Sequence, residues 1–307
     1  MSDNTEFRKE LEERTKQINE QIESYLPEEK GHQKTIFEAM NYSVKAGGKR
    51  LRPLFMQEIC RLFTGEVQPV VVPFMAAIEM IHTYSLVHDD LPAMDNDEYR
   101  RGRKTTWSVY GDGMGVLAGD GLLNYAFETA FRAFPAYAAG KTVDENYPRV
   151  AAALNILARK AGIYGMIGGQ TADLEAEGKQ ITEEQLLFIY RHKTADLIEA
   201  SMMIGAILAG ADEKTVTAMG KCAYNIGIAF QIQDDILDVE GEEAVLGKPL
   251  FSDEKNDKQT YVTMYGLEKA KKEVEKLSEE AICILKDCSG DSAFLEELTK
   301  YLIHRKK

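Results

Sequence analysis

The chain has 307 residues, with 50 Asp and Glu against 37 Lys and Arg, a formal net charge of −13. That balance excludes nucleic acid as the main partner, because a phosphate backbone needs a basic face. Apolar residues at 44% and charged residues at 28% describe a globule rather than a disordered chain, and a length near 300 can bury roughly 75% of the unfolded surface.

Only eight prolines interrupt a sequence rich in Ala, Leu, Met and Glu, so helices are expected throughout. From Phe7 the apolar residues Leu11, Ile18, Ile22 and Tyr25 recur at helical steps, with Asp3 and Asn4 as caps and Pro27 after the end. A second helix carries Ile36, Phe37, Met40 and Val44 and stops at Gly47-Gly48; a third begins after Pro53 and runs to about Phe63. Pro69 to Leu91 reads as a long apolar helix. A charged loop follows, then a helix from Gly115 to Phe134. Asp144 to Tyr164 reads as helical and should break at the glycine cluster GMIGGQ. Thr182 and Gln185 form a capping box ahead of LLFIYRHKTADLIEASMMIGAILAG. A further helix from about Lys214 to Val239 leads into a polar loop and the C-terminal helices. Val70–Val72 alone tempts a strand assignment, and Pro73 argues against it. The expectation is one all-α domain spanning residues 1–307.

No run of 18 apolar residues is present, so no membrane span is expected. The opening MSDNTEFRKELEER lacks the apolar core of a signal peptide, and a cytoplasmic location is expected. Cys60, Cys222, Cys283 and Cys288 form no CxxC pair and read as free thiols in a reducing compartment.

Two acidic clusters carry the chemistry. His88-Asp89-Asp90-Leu91-Pro92-Ala93-Met94-Asp95 and Gln233-Asp234-Asp235-Ile236-Leu237-Asp238 each end an apolar helix, where the helix dipole is already negative. Carboxylates gathered there call for cations. Asp234 and Asp238 are four apart and share a helix face. Asp89 and Asp95 would diverge by about 120° on an unbroken helix, but Pro92 should turn the chain so that Asp95 folds back. Oxygen-only donors suit Mg²⁺, which bridges readily to substrate phosphates. Glu79-x-x-His82 resembles a di-iron ligand pair, but no second such pair exists, so that reading is set aside. Basic groups complement the acid: Lys49, Arg50 and Arg52 in a glycine-hinged turn, Arg100 to Lys104, Lys193-Thr194, Lys248 and Lys258. Arg grips phosphate bidentately.

With these residues in view the sequence resembles the short-chain trans-prenyl diphosphate synthases, most of all their bacterial farnesyl diphosphate synthase branch. The matching segments are GGKRLRP, EMIHTYSLVHDDLPAMDNDEYRRG, LAGDGLL, GMIGGQTADLEAEGK, HKTADLI, FQIQDDILDV and the GK of VLGKPLFSD, in order. The resemblance implies an all-α bundle of the isoprenoid synthase type around a central cavity, acting as a homodimer. It implies Mg²⁺-dependent head-to-tail condensation of isopentenyl diphosphate onto an allylic diphosphate, with Mn²⁺ an alternative metal. Asp89 and Asp95 on one side, and Asp234 with Asp238 on the other, would ligate the metal. Asp90 and Asp235 would support them. Arg100, Lys193 and Lys248 would grip the allylic diphosphate, and Thr194 and Gln231 would present oxygens near the reacting carbon. Lys49, Arg52, His82 and Arg101 would hold isopentenyl diphosphate. Phe230 and Tyr84 are candidate aromatic faces for a carbocation.

Product length is expected to turn on the residues before Asp89. Ser85 is small, while Tyr84 is large but about 140° from Asp89 on an ideal wheel, so geometry leaves it equally a core aromatic. The resemblance places the chain-length aromatic at this position and implies a farnesyl product. One segment departs from the family pattern. Where relatives often read GKPTNHK, this chain reads Gly102-Arg103-Lys104-Thr105-Thr106-Trp107-Ser108, without the proline and with Trp107 in place of a histidine. A geranylgeranyl diphosphate synthase and a non-catalytic helical regulatory subunit are the alternatives. The second would be expected to have lost its acidic motifs.

Overall fold

A computed structural model describes residues 2–134, 147–240 and 259–305. The described residues are almost entirely helical and pack as two compact units, Met1–Gln57 with Val67–Leu154, and Glu58–Glu66 with Asn155–Lys307.

The first unit holds α1 (Ser2–Ser24), α2 (Lys34–Val44), the start of α3 (Leu51–Thr64), α4 (Val72–Asp89), α5 (Thr106–Tyr110) and α6 (Asp112–Phe131). Helix α4 is apolar all round, and Phe74, Met75, Ile78, Met80 and Ile81 are fully buried, as a central helix requires. Helix α6 packs against it through small residues. Gly119 is one of them, since a Cβ there would lie 2.0 Å from His88 Nε2. Pro53 sits inside the first turn of α3, where a missing N–H costs nothing. Asp3 and Asn4 lie within α1, and their side chains are outside the described residues. Between α4 and α5 a two-residue antiparallel hairpin, β1 (Tyr99–Arg100) and β2 (Arg103–Lys104), breaks the otherwise helical pattern.

The second unit contains the rest of α3 and of α7 (Tyr147–Ala161), then α8 (Met166–Ala176), α9 (Glu183–Ile189), a π-helical turn (Tyr190–Ala195), α10 (Asp196–Leu208), α11 (Glu213–Glu240), α12 (Tyr261–Tyr265), α13 (Leu267–Lys286) and α14 (Ala293–Ile303). Helix α11 packs against α10 and α13. The capping box at Thr182 forms, with Gln185 N–H donating to Thr182 Oγ1 at 3.3 Å and Thr182 N–H to Gln185 Oε1 at 2.9 Å. The expected break at GMIGGQ falls earlier, between Ala161 and Met166. The glycines run on as helix because their missing side chains admit a neighbour: a Cβ on Gly169 would lie 2.1 Å from the backbone N of Lys193. By length and hydropathy Pro69–Asp89 would qualify as a membrane span, but 72% of it is buried inside the structure, as in a globular core. Tyr147–Ala176 passes the same test only when taken through the non-helical residues between α7 and α8.

Candidate active site

In the first unit α4 ends at Asp89, and the chain turns at Pro92 as its ring dictates. Asp95 N–H donates to the Asp89 carbonyl at 2.8 Å, so the two carboxylates belong to one turn despite their six-residue separation. Asp90 points inward and is 4% exposed. Arg100 Nε donates to Asp90 Oδ1 at 2.6 Å, with Arg100 Nη2 also 3.7 Å from Asp97 Oδ2. Burial pushes the Asp90 carboxyl up to about 6 against the opposing pull of Arg100. Asp90 is thus a support for Arg100, while Asp89 is half-buried and Asp95 exposed.

Beside this turn lies a cationic pocket of about 490 Å³, lined by Gly47, Glu79, His82, Asp90, Arg100 and Arg101 among others. Arg50 and Arg52, two residues apart, take opposite parts. Arg50 is buried and donates to Glu79 Oε1 at 2.6 Å, Asn19 Oδ1 at 2.7 Å and the Val44 carbonyl at 2.7 Å. Glu79 is therefore the counterion of Arg50, which accounts for its place in Glu-x-x-His. The Nε of Arg52 is buried with no partner among the described residues, a donor waiting for an acceptor. Loss of solvation, offset by Glu79 and reinforced by Arg101, lowers Arg52 to about 10. Burial, then the charges of Arg52 and Arg101, holds His82 well below its ordinary value, so it is neutral at pH 7. Arg101 donates to the Gly47 carbonyl. Gly48, at φ 144°, leaves room for it, since a Cβ there would lie 2.4 Å from Arg101 Nη1. Lys49 is exposed in the same turn.

Tyr84 is 5% exposed, edge-on to the His88 ring at 5.8 Å. Its hydroxyl is buried with no partner among the described residues, and burial, then Asp89, pushes it up to about 12. Ser85 Oγ donates back to the His82 carbonyl at 2.9 Å.

In the second unit the π-turn carries Lys193 and Thr194. Such one-turn widenings of an α-helix recur at functional sites. Lys193 Nζ donates to Asp173 Oδ2 at 2.5 Å, and Thr194 Oγ1 donates to Gln231 Oε1 at 3.0 Å. These residues, with Tyr190 and Asp235, line a pocket of about 640 Å³. Asp235 is buried and structural: it accepts from the Tyr190 hydroxyl and from Tyr261 N–H at 3.0 Å. Asp234 is half-exposed, and Arg305 Nη2 donates to its Oδ1 at 2.6 Å. Asp238 shares the helix face but is 3% exposed. The Phe230 ring has the Arg305 guanidinium stacked over one face, 3.7 Å from its centroid. Lys248 and Lys258 lie outside the described residues.

Sequence reasoning missed Asp173, Asp196 and Arg305. The fully buried Asp196 accepts from Lys160 Nζ at 2.6 Å and is paired with His192 Nδ1 at 2.7 Å, bracing the π-turn. The available signal was Gly169 and Gly227, whose absent side chains admit the turn from two sides. Among the described residues no three His, Cys, Asp or Glu side chains converge into a metal cage. The donors present are carboxylate oxygens in pairs, which fits a hard cation that draws its remaining ligands from water and phosphate.

An acidic turn beside a cationic pocket, on an almost wholly helical fold, is a site suited to a cation and an anion together. The Polyprenyl synthetase family model matches residues 33–299, and the chain belongs to that family. It is 41% identical over 297 residues to farnesyl diphosphate synthase of Geobacillus stearothermophilus, covering 96% of both chains. It is 42% identical over 272 residues to geranylgeranyl diphosphate synthase of Cyanophora paradoxa, covering 88% of this chain and 87% of that one. Among solved structures, geranylgeranyl pyrophosphate synthetase of Pyrococcus horikoshii superposes with a TM-score of 0.84 at 30% identity, covering 99% of each chain. Enzymes of this family use isopentenyl and allylic diphosphates and are generally Mg²⁺-dependent.

Proposed function

We propose that this protein condenses isopentenyl diphosphate with dimethylallyl and then geranyl diphosphate, releasing diphosphate and making farnesyl diphosphate. The observation that carries the reading is the acidic turn of Asp89 and Asp95 set directly beside a pocket lined by Arg100, Arg101, Arg103 and His82. The family match spans both units, which supports treating residues 1–307 as one catalytic domain. A cytoplasmic homodimer is proposed by the same resemblance.

Ionising the allylic carbon–oxygen bond builds charge on the departing diphosphate. Bound Mg²⁺, held by Asp89, Asp95, Asp234 and Asp238, would neutralise that charge as a Lewis acid. By the resemblance, Lys193 and Arg100 would each supply fixed positive charge to the allylic diphosphate; within its own unit each is held in place beforehand, by Asp173 and Asp90. Lys248 is assigned the same role. Thr194 and Gln231 present neutral oxygens to the allylic cation. Lys49, Arg52 and Arg101 hold the diphosphate of isopentenyl diphosphate, and neutral His82 donates a hydrogen bond to it without adding charge. No nucleophilic side chain is required. Incubation with labelled isopentenyl diphosphate, each allylic primer and Mg²⁺, followed by product sizing, tests the whole reading; no prenyl product from any primer would overturn it.

The hairpin gives the two arginines different partners, so they should serve different diphosphates. Arg101→Ala is expected to raise KM for isopentenyl diphosphate about 10- to 100-fold, the range for a charged hydrogen bond. Arg100→Gln, which keeps a donor for Asp90, should act mainly on the allylic substrate. Varying each substrate in turn separates them, and equal effects of both changes on both substrates would refute the division.

Tyr84 fixes the product at fifteen carbons in this reading. Tyr84→Ala deletes a buried aromatic and leaves a cavity that the surroundings fill only partly. Products of twenty carbons or more are expected by chromatography. An unchanged fifteen-carbon product would place the floor elsewhere.

A further inference from the structure

Trp107, in the loop after the first acidic motif, makes a bond on which the loop depends. We propose that Trp107 is a positioning residue: its indole staples the loop that presents Arg100 and Arg101, so it sets affinity for both diphosphates. The identity of those substrates rests on the reading above.

The hairpin has only two residues in each strand, too few to hold itself together. Its tip is Arg101-Gly102, at φ 54° and 74°. The two left-handed residues make the sharp turn that so short a hairpin demands. For Arg101 that conformation is disfavoured and persists only where the surroundings impose it.

The second strand is tied to α2. Tyr42 Oη donates to the Lys104 carbonyl at 2.7 Å, Arg103 Nη1 donates to the Lys45 carbonyl at 3.2 Å, and Ser43 and Thr106 hydroxyls meet at 2.7 Å. The segment leading into the first strand is held through the backbone of Asp97. Its carbonyl accepts from Trp107 Nε1 at 2.9 Å and from Thr105 Oγ1 at 2.8 Å. Its N–H donates to the Asp90 carbonyl at 3.2 Å. The backbone of one residue, Asp97, therefore joins the end of α4, the hairpin and α5.

Trp107 has a firm base from which to hold it. Gly111 N–H donates to the Trp107 carbonyl at 2.7 Å, and α6 packs flush on the residue, since a Cβ on Gly115 would lie 3.0 Å from Trp107 Cβ. The loop is thus held by an indole donor on one side and by contacts with α2 on the other.

Trp107→Phe keeps the ring and removes the donor. It is expected to raise KM for both isopentenyl and allylic diphosphate about three- to tenfold while kcat stays within about twofold, the scale of one lost hydrogen bond. Trp107→His restores an N–H and should recover most of the loss. A role confined to stability would lower the active fraction, and so kcat, with both KM values unchanged; that result would overturn the proposal, as would KM values equally raised in the His variant. The chain has a single tryptophan, so emission from Trp107 reports the loop directly. Titrating the wild-type protein with inorganic diphosphate should change that emission without any turnover, and an unchanged spectrum at saturation would also overturn the proposal. If the wild type made no prenyl product, the functional reading would fail, while the diphosphate titration would still test the staple.

Discussion

Asp89→Asn is expected to lower turnover by at least about a hundredfold while the helical content is unchanged. Removing one group aimed at developing charge costs about 10²–10³ in rate, and a metal ligand carries more than a single donor. The same is expected of Asp234→Asn. Asparagine is the better choice there, because it keeps an acceptor oxygen for Arg305, whose side chain is 2% exposed and would otherwise lose its carboxylate. Steady-state assays at fixed Mg²⁺, with circular dichroism as the control for folding, check both. Wild-type turnover in either variant would remove that aspartate from the site.

Glu79→Ala should be the most destabilising single change in the first unit. Arg50 and Glu79 are 2% and 4% exposed, so truncating the acid leaves a buried cation beside Arg52 and Arg101. Breaking such a pair from one side costs about 3–5 kcal/mol. The Arg50→Met, Glu79→Leu double variant removes both charges and should regain most of that stability. Denaturant unfolding monitored by circular dichroism measures it. A loss below about 1 kcal/mol in Glu79→Ala would show that the pair does not hold the unit together.

Much of this was legible in the residues themselves. The all-round apolar character of residues 72–89 marked a central helix, Pro92 announced the turn that brings Asp95 back, and Thr182 with Gln185 marked a helix start. Position within a motif was harder to read. Nothing in KRLRP says that Arg50 pairs with Glu79, 29 residues away, while the buried Nε of Arg52 has no partner among the described residues. Likewise Asp234 and Asp235 look alike, but only Asp235 faces Tyr190 and Tyr261. The hairpin escaped notice because two-residue strands carry no alternation to detect; the Arg101-Gly102 pair was its sole trace. The π-turn has no composition of its own, only the two glycines that give way to it.

That turn fixes the length of its helix to the residue. It contains one residue more than an α-helix would need over the same rise, so deleting a single residue from Tyr190–Ala195 would let the backbone become regular. The flanks would keep their places, with Tyr190 on Asp235 and Asp196 on Lys160. What would be lost is the wide turn itself, and with it the positions from which Lys193 reaches Asp173 and Thr194 reaches Gln231. A homologue shorter by one residue here could keep both helices in register, but not this presentation of the two side chains.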